Sequence, residues 1–336
     1  MKKILFSLLI TLLLLSACFN GDDKGSGVFK PSSAGKLYEV LVVVEPDLWK
    51  TSVGENIEKL FMRALDALPQ IEPIFDVINI QHSSFNNMFK SHRNILNLRI
   101  SENVDSVGIL ILRDYWASPQ LYVEITANNS KQFDSLMQIK GIQVLNLFLS
   151  EEKSRLLAAY KKLEDQSVRR KLIEKNQLVL NVPSKYTLDV HNENFAWISH
   201  ETAKTTQGIL IWQYPYRSEK QLEINSLILA RDSVLLKNVP GAVPESYMAT
   251  EHQYPPVLRN IRHKGFYALE MRGLWIVEGD FMGGPFVNLT LVDTLRNRII
   301  TIEGFVYAGK QNKRNLLREL EAIIYTIDVA TKEDEK

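Results

Sequence analysis

One cysteine in 336 residues leaves no disulfide framework and no multi-thiolate metal site. A surplus of either charge is missing too. Lys and Arg number 40 against 39 Asp and Glu, a net charge of +1. Proteins that grip nucleic acid through its phosphates carry a basic excess, so no nucleic-acid partner is expected. The chain has no G-x-x-x-x-G-K-[ST] phosphate cradle, no G-x-G-x-x-G, no H-E-x-x-H and no EF-hand loop. It lacks the G-x-S-x-G nucleophile elbow, and no S-x-x-K is paired with a K-T-G. Both absences argue against the common serine hydrolases and penicillin-binding proteins. Six histidines (His82, His92, His191, His200, His252 and His263) are scattered, and structural or surface roles fit them better than a metal site. No metal and no cofactor are expected. What remains is the balance of an ordinary globular protein, 45% apolar and 24% charged.

The most informative stretch present is the N-terminus. Lys2 and Lys3 precede an apolar run from Ile4 to Leu15, broken only by Ser7 and Thr11. A membrane span needs about 20 residues, so this run has the length of a signal-peptide core instead. It ends at Leu15-Ser16-Ala17-Cys18, which resembles the bacterial lipobox. Residues 1–17 therefore read as a lipoprotein signal peptide, with lipid on Cys18 as the only covalent group expected. Acyl chains contribute about 0.8 kcal/mol per buried CH₂, so several of them hold a soluble body on a membrane. Residues 18–35 are a polar, Gly-rich tether. Within it, Asp22 and Asp23 resemble the acidic signal of surface-displayed Bacteroidota lipoproteins. The expected location is the cell envelope, on the outer membrane, with the periplasmic or surface-facing leaflet left open. Loss of Lys2 and Lys3 takes the net charge from +1 to −1.

The folded part reads as α+β, with a mixed α/β N-terminal half over 36–150 and a C-terminal α+β half over 177–330. Tyr38–Glu45 is a β-branched run that predicts a buried strand. The apolar stripe from Val53 to Leu68 predicts a helix stopped by Pro69. Residues 131–149 predict a helix interrupted near Gly141, and 151–176 a separate connecting helix. The C-terminal half predicts short strands, a helix over 221–237, four hairpin-connected strands and a closing amphipathic helix from Asn312 to Ile327. That order suggests a mainly antiparallel sheet with helices on one face.

Two segments hold the candidate functional residues. Residues 239–264 carry Pro240, Gly241, Pro244, Pro255 and Pro256 and read as a long loop. Its aromatic and charged side chains, Tyr247, Glu251, His252, Tyr254 and Arg259, suit a binding loop. The segment from Arg272 to Phe286 adds Arg272 and Trp275 as binding candidates. It also holds Glu278 and Asp280, which share a face if the strand persists. Paired acids roughly 5–10 Å apart are the machinery of glycoside hydrolysis. A Gly-rich hairpin with acids at its turn is the simpler reading of that segment.

Several stretches resemble the DUF4837 family of Bacteroidota lipoproteins. They are YEVLVVV at Tyr38–Val44, HRNI at His92–Ile95, DYWASPQ at Asp114–Gln120, NFAWIS at Asn194–Ser199, VPG at Val239–Gly241 with SYM at Ser246–Met248, RGLW at Arg272–Trp275 and DFMGGPFV at Asp280–Val287. The resemblance spans nearly all of 36–328. It implies a lipid-anchored envelope protein and carries no catalytic or ligand residues. Three functions follow from the sequence. The first is a non-catalytic binding or assembly module with an envelope protein or glycan partner. The second is a glycan or peptidoglycan hydrolase using Glu278 and Asp280. The third is a small-ligand carrier whose pocket is roofed by the 239–264 loop.

Overall fold

The computed structural model describes residues 30–331 and Asp334. Cys18, the signal peptide and the tether up to residue 29 lie outside the described residues.

The N-terminal half is built on a five-stranded sheet. Its strands are β1 (Glu39–Val43), β2 (Asp76–Ile80), β3 (Asn94–Ile100), β4 (Gly108–Arg113) and β5 (Leu121–Ala127), in the order β2-β1-β3-β5-β4. All neighbours are parallel except β4, an antiparallel edge strand. β1 is buried at every position, as a strand covered on both faces must be. Helix α1 (Ser52–Phe61) crosses from β1 toward β2. It stops well before Pro69, because residues 62–75 double back: the Leu65 amide donates to the Glu72 carbonyl at 2.9 Å and the Ile74 amide to that of Arg63 at 3.0 Å.

Helix α2 runs unbroken from Ser130 to Lys162, and the expected interruption at Gly141 is absent. Gly141 is buried where α1 crosses, and a Cβ there would stand 3.4 Å from Leu60 Cδ2. The glycine serves a helix contact rather than a break. The chain turns instead at Leu163–Asp165. Asp165 then caps α3 (Gln166–Asn176), accepting from the amides of Ser167 and Val168.

The C-terminal half is a mainly antiparallel eight-stranded sheet. It contains β7 (Thr187–His191), β8 (Phe195–Glu201), β9 (Thr206–Pro215), β10 (Tyr247–Thr250), β11 (Val257–His263), β12 (Phe266–Glu278), β13 (Gly283–Asp293) and β14 (Arg298–Tyr307). The order is β10-β12-β13-β14-β9-β8-β7, with β11 also paired to the long β12. β6 (Leu178–Val179) and β15 (Asp328–Val329) form a separate two-stranded ladder. Alternation along the strands gives the large sheet two apolar faces. Ile209, Ile211, Leu289 and Ile302 point to one core and Leu210, Trp212, Phe286 and Phe305 to another. Helix α5 (Arg314–Ile324) covers the first face, with α2 packed beside it. This meets the expectation of helices on one face. Helix α4 (Ile224–Asn238) adds cover on the opposite face, against β10.

The first core is continuous between the sheets: Val40, Leu96 and Phe148 belong to the same cluster as Ile300 and Leu320. Polar contacts also join the halves. The Glu72 carboxylate accepts from the amides of Lys313 and Arg314 at 2.7 and 3.0 Å, so a side chain of the first half caps the N-terminus of α5. Arg314 in turn pairs with Asp76 at 2.8 Å.

Candidate functional site

A cavity of about 530 Å³ opens where the doubled-back segment 62–75, α2, β11, β12 and α5 meet. Its walls carry more charge than its depth predicts. On β12 the period of two sends Ala268, Glu270 and Arg272 toward α5 and Met271 and Trp275 to the opposite core. Glu270 and Arg272 are both buried and paired bidentately, Nε to Oε1 at 2.8 Å and Nη2 to Oε2 at 3.1 Å. Arg272 also donates to Glu321 of α5, whose other oxygen accepts from Arg318 Nη1 at 2.7 Å. The Tyr325 hydroxyl donates to Glu270. On the neighbouring strand, Arg259 lies opposite Glu270 in register and pairs with Asp66 from the first half, each half-exposed.

The electrostatics of this lattice are uneven. Burial would raise the Glu270 carboxyl, but the Arg272 guanidinium and the Tyr325 hydroxyl outweigh it and hold the group below its usual range. Burial pushes Tyr38 up to about 12 and lifts Tyr325 as well, with Glu270 adding to the latter. Burial lowers Arg318 to about 10. Lys153, on α2, is lowered to about 8, first by burial and then by Arg318 and Arg272, with Glu270 opposing. Among the described residues Lys153 has no carboxylate at ion-pair distance; its ammonium rests on the Tyr325 ring, 3.4 Å from the centroid. Two guanidinium nitrogens, Arg272 Nη1 and Arg318 Nε, are buried without a hydrogen-bond partner.

Of the residues singled out in the sequence, the structure brings Arg259 and Arg272 to this cavity and leaves the others elsewhere. Trp275 is 2% exposed in the opposite core, where its Nε1 donates to the Val306 carbonyl at 3.3 Å. It cannot join Arg272, because the odd spacing puts the two on opposite faces. The 239–264 segment is not one long loop, since β10 and β11 both pair with β12. The prolines bound two short edge strands: Arg259 lies on β11, while Glu251, His252 and Tyr254 occupy the turn between β10 and β11. Tyr247 is half-buried on β10, opposite Glu278. Glu251 accepts from the Gln253 amide at 2.8 Å, Tyr254 is exposed, and His252 lies 3.3 Å from Asp232.

Glu278 and Asp280 do not share a strand face. β12 ends at Glu278, and Gly279, at φ +87°, turns the chain. Glu278 is exposed, and Asp280 accepts from the Phe281 amide at 2.6 Å within that turn. Neither lines the cavity above or a second one of about 410 Å³ beneath β15. His200 and Glu201 are adjacent on β8, so they point to opposite faces, and His200 Nδ1 bonds the Lys185 carbonyl. His82 meets Glu45 and Asn97, while His92 meets Glu39 and the Asn94 carbonyl. Among the described residues no cluster of three His, Cys, Asp or Glu could hold a metal.

Lys153, Glu270, Arg318, Glu321 and Tyr325 were not visible as a site. One signal existed: Glu270 and Arg272 are charges at core-facing positions of an apolar strand, and burying charge requires partners.

Comparison with known proteins divides the chain at the turn after α2. Residues 165–326 match the model of a domain of unknown function, DUF4837, and residues 33–161 match that of another, DUF8532. The first-half stretches YEVLVVV, HRNI and DYWASPQ thus fall in the DUF8532 span, and the DUF4837 match is shorter than the resemblance implied. No curated protein matches the chain. Among solved structures, LpqN, involved in cell envelope biogenesis of Mycobacterium tuberculosis, overlaps at 13% identity and a TM-score of 0.29, covering 46% of this chain and 83% of LpqN. A structure from Bacteroides thetaiotaomicron VPI-5482 overlaps at 12% identity and a TM-score of 0.21, covering 47% of this chain and 46% of that one. Overlaps this slight carry no argument about function. The C-terminal half of the chain is thus similar to DUF4837 domains and the N-terminal half to DUF8532 domains.

Proposed function

We propose that this protein is a non-catalytic binding or assembly module of the cell envelope, held on the outer membrane by lipid on Cys18, and that it binds through the cleft between its two halves. The observation that carries the reading is the charged cleft itself. It is roomy, it gathers side chains from both halves, and it leaves Lys153 and two guanidinium nitrogens short of partners. A site evolved only for stability would pair such groups or replace them with apolar ones. The envelope address rests on the signal-like run and the Leu15–Cys18 sequence. Among the described residues no helix is long and apolar enough to cross a membrane. The hydrolase alternative has lost its geometric motive, since Glu278 and Asp280 do not share a strand face.

The test is crosslinking in living cells, followed by purification of the intact lipoprotein. A reproducible envelope protein or glycan that is captured by the wild type and lost in Lys153→Gln supports the reading. Capture unchanged by that variant overturns the cleft as the binding site. Membrane fractionation unchanged by Cys18→Ala overturns the anchor.

A further inference from the structure

Resting on the cleft as the binding site, we infer that its ligand is an organic phosphate: a phosphate group held by Lys153, Arg272 and Arg318, with an apolar body lying against the remaining wall. The argument begins with charge. Five cationic side chains line the cavity (Arg63, Lys153, Arg259, Arg272 and Arg318), against the carboxylates of Asp66, Glu270 and Glu321. Asp66 is taken by Arg259, and Glu270 and Glu321 are shared between Arg272 and Arg318. Two positive charges are left over. A phosphate monoester carries about −1.5 to −2 at pH 7 and matches that surplus, whereas a monocarboxylate leaves one cation bare.

Geometry agrees with charge. The carboxylates are bound on the sides facing the guanidinium groups, so they hold the forks in place rather than consuming every donor. Arg272 and Arg318 both line the cavity, and each keeps one buried guanidinium nitrogen, Nη1 and Nε respectively, without an acceptor in the empty protein. Lys153 rests on an aromatic ring, a contact that an anion can replace at small cost. Free phosphate alone does not need about 530 Å³. Leu65, Ile74, Leu149 and Ala322 line the rest of the space and suit an apolar substituent. The Arg259–Asp66 pair, half-exposed and drawn from opposite halves, lines the same cavity.

The experiment is titration calorimetry on the purified full chain with phenyl phosphate, inorganic phosphate, succinate and benzoate. Phenyl phosphate is expected to bind at least tenfold more tightly than benzoate and more tightly than inorganic phosphate. Lys153→Gln is expected to weaken it at least tenfold with the melting temperature retained. Arg63→Gln, at an exposed rim position, provides a second variant whose folding is not in question and should weaken binding about threefold. Phenyl phosphate binding that ignores both variants overturns the site. Succinate binding in preference to phenyl phosphate, and lost in Lys153→Gln, overturns the phosphate assignment and leaves the cleft reading standing. Binding of none of the four overturns the inference, while the crosslinking result decides the cleft reading separately.

Discussion

The Lys153 ammonium sits 3.4 Å from the centre of the Tyr325 ring, so a cation on α2 touches an aromatic just beyond the end of α5. Burial there holds Lys153 near a pKa of about 8. Between pH 7 and pH 9 it loses its charge. The groups facing it do not change over that interval: Tyr38 titrates at about 12, Tyr325 is raised, Arg318 stays charged to about 10, and Glu270 is ionised throughout. Phosphate is already dianionic above pH 7. Phenyl phosphate affinity is therefore expected to fall severalfold from pH 7 to pH 9, and calorimetry at the two values checks it. An affinity flat across the interval would show that Lys153 does not contact the anion.

The same residue should cost the empty protein stability. Its folded pKa lies below the unfolded one, so the unfolded chain binds more protons between about pH 8 and 10.5, and stability rises with pH across that window. At pH 7 the penalty is present in full. Lys153→Met is expected to raise the unfolding free energy by about 1 kcal/mol at pH 7, with the gain fading by pH 10.5. Urea denaturation at both pH values measures this.

On the opposite face of the large sheet, Arg231 of α4 and Glu303 of β14 form a fully buried bidentate pair at 2.7 and 2.8 Å. Asn288 and Thr250 complete its hydrogen bonds. Arg231→Met would strand a carboxylate in the core and should cost about 3–5 kcal/mol. Adding Glu303→Leu should recover most of that loss. The denaturation midpoints of the single and double variants give the comparison.

Glu72→Ala removes the carboxylate that caps α5 from the other half. A loss of about 1–2 kcal/mol is expected, comparable to deletion of an N-cap side chain. Calorimetric melting reads it directly.

Glu278→Gln and Asp280→Asn change surface groups at a turn. Each is expected to shift stability by less than about 0.5 kcal/mol and to leave ligand binding and any hydrolytic turnover unchanged. A loss of turnover in either variant would restore the paired-acid reading.

Continuous β-branched runs and clear apolar periods were legible in the sequence. β1, β13, β14 and the closing helix appear close to where their apolar periods put them. Elements governed by single polar side chains were harder to see. The turn at Leu163–Asp165 depends on one capping aspartate, and β11 is a strand that begins directly after the Pro255-Pro256 pair that read as loop. The cleft was the least legible feature, for a topological reason. Asp66, Lys153, Glu270 and Glu321 are far apart in the chain and converge only after two sheets and two helices have packed. Local patterning marks a buried charge as unusual; it does not name the partner.

The shared core has a consequence for how the two matched segments behave as matter. The boundary between them falls in a tight turn, yet the apolar side chains on either side of it interlock in one cluster. Inherited units and folding units need not coincide. Here a cut at residue 163 would expose the inner surface of both pieces to water and strip α5 of its acidic cap. Heating should produce one cooperative transition, and neither half expressed alone should show it.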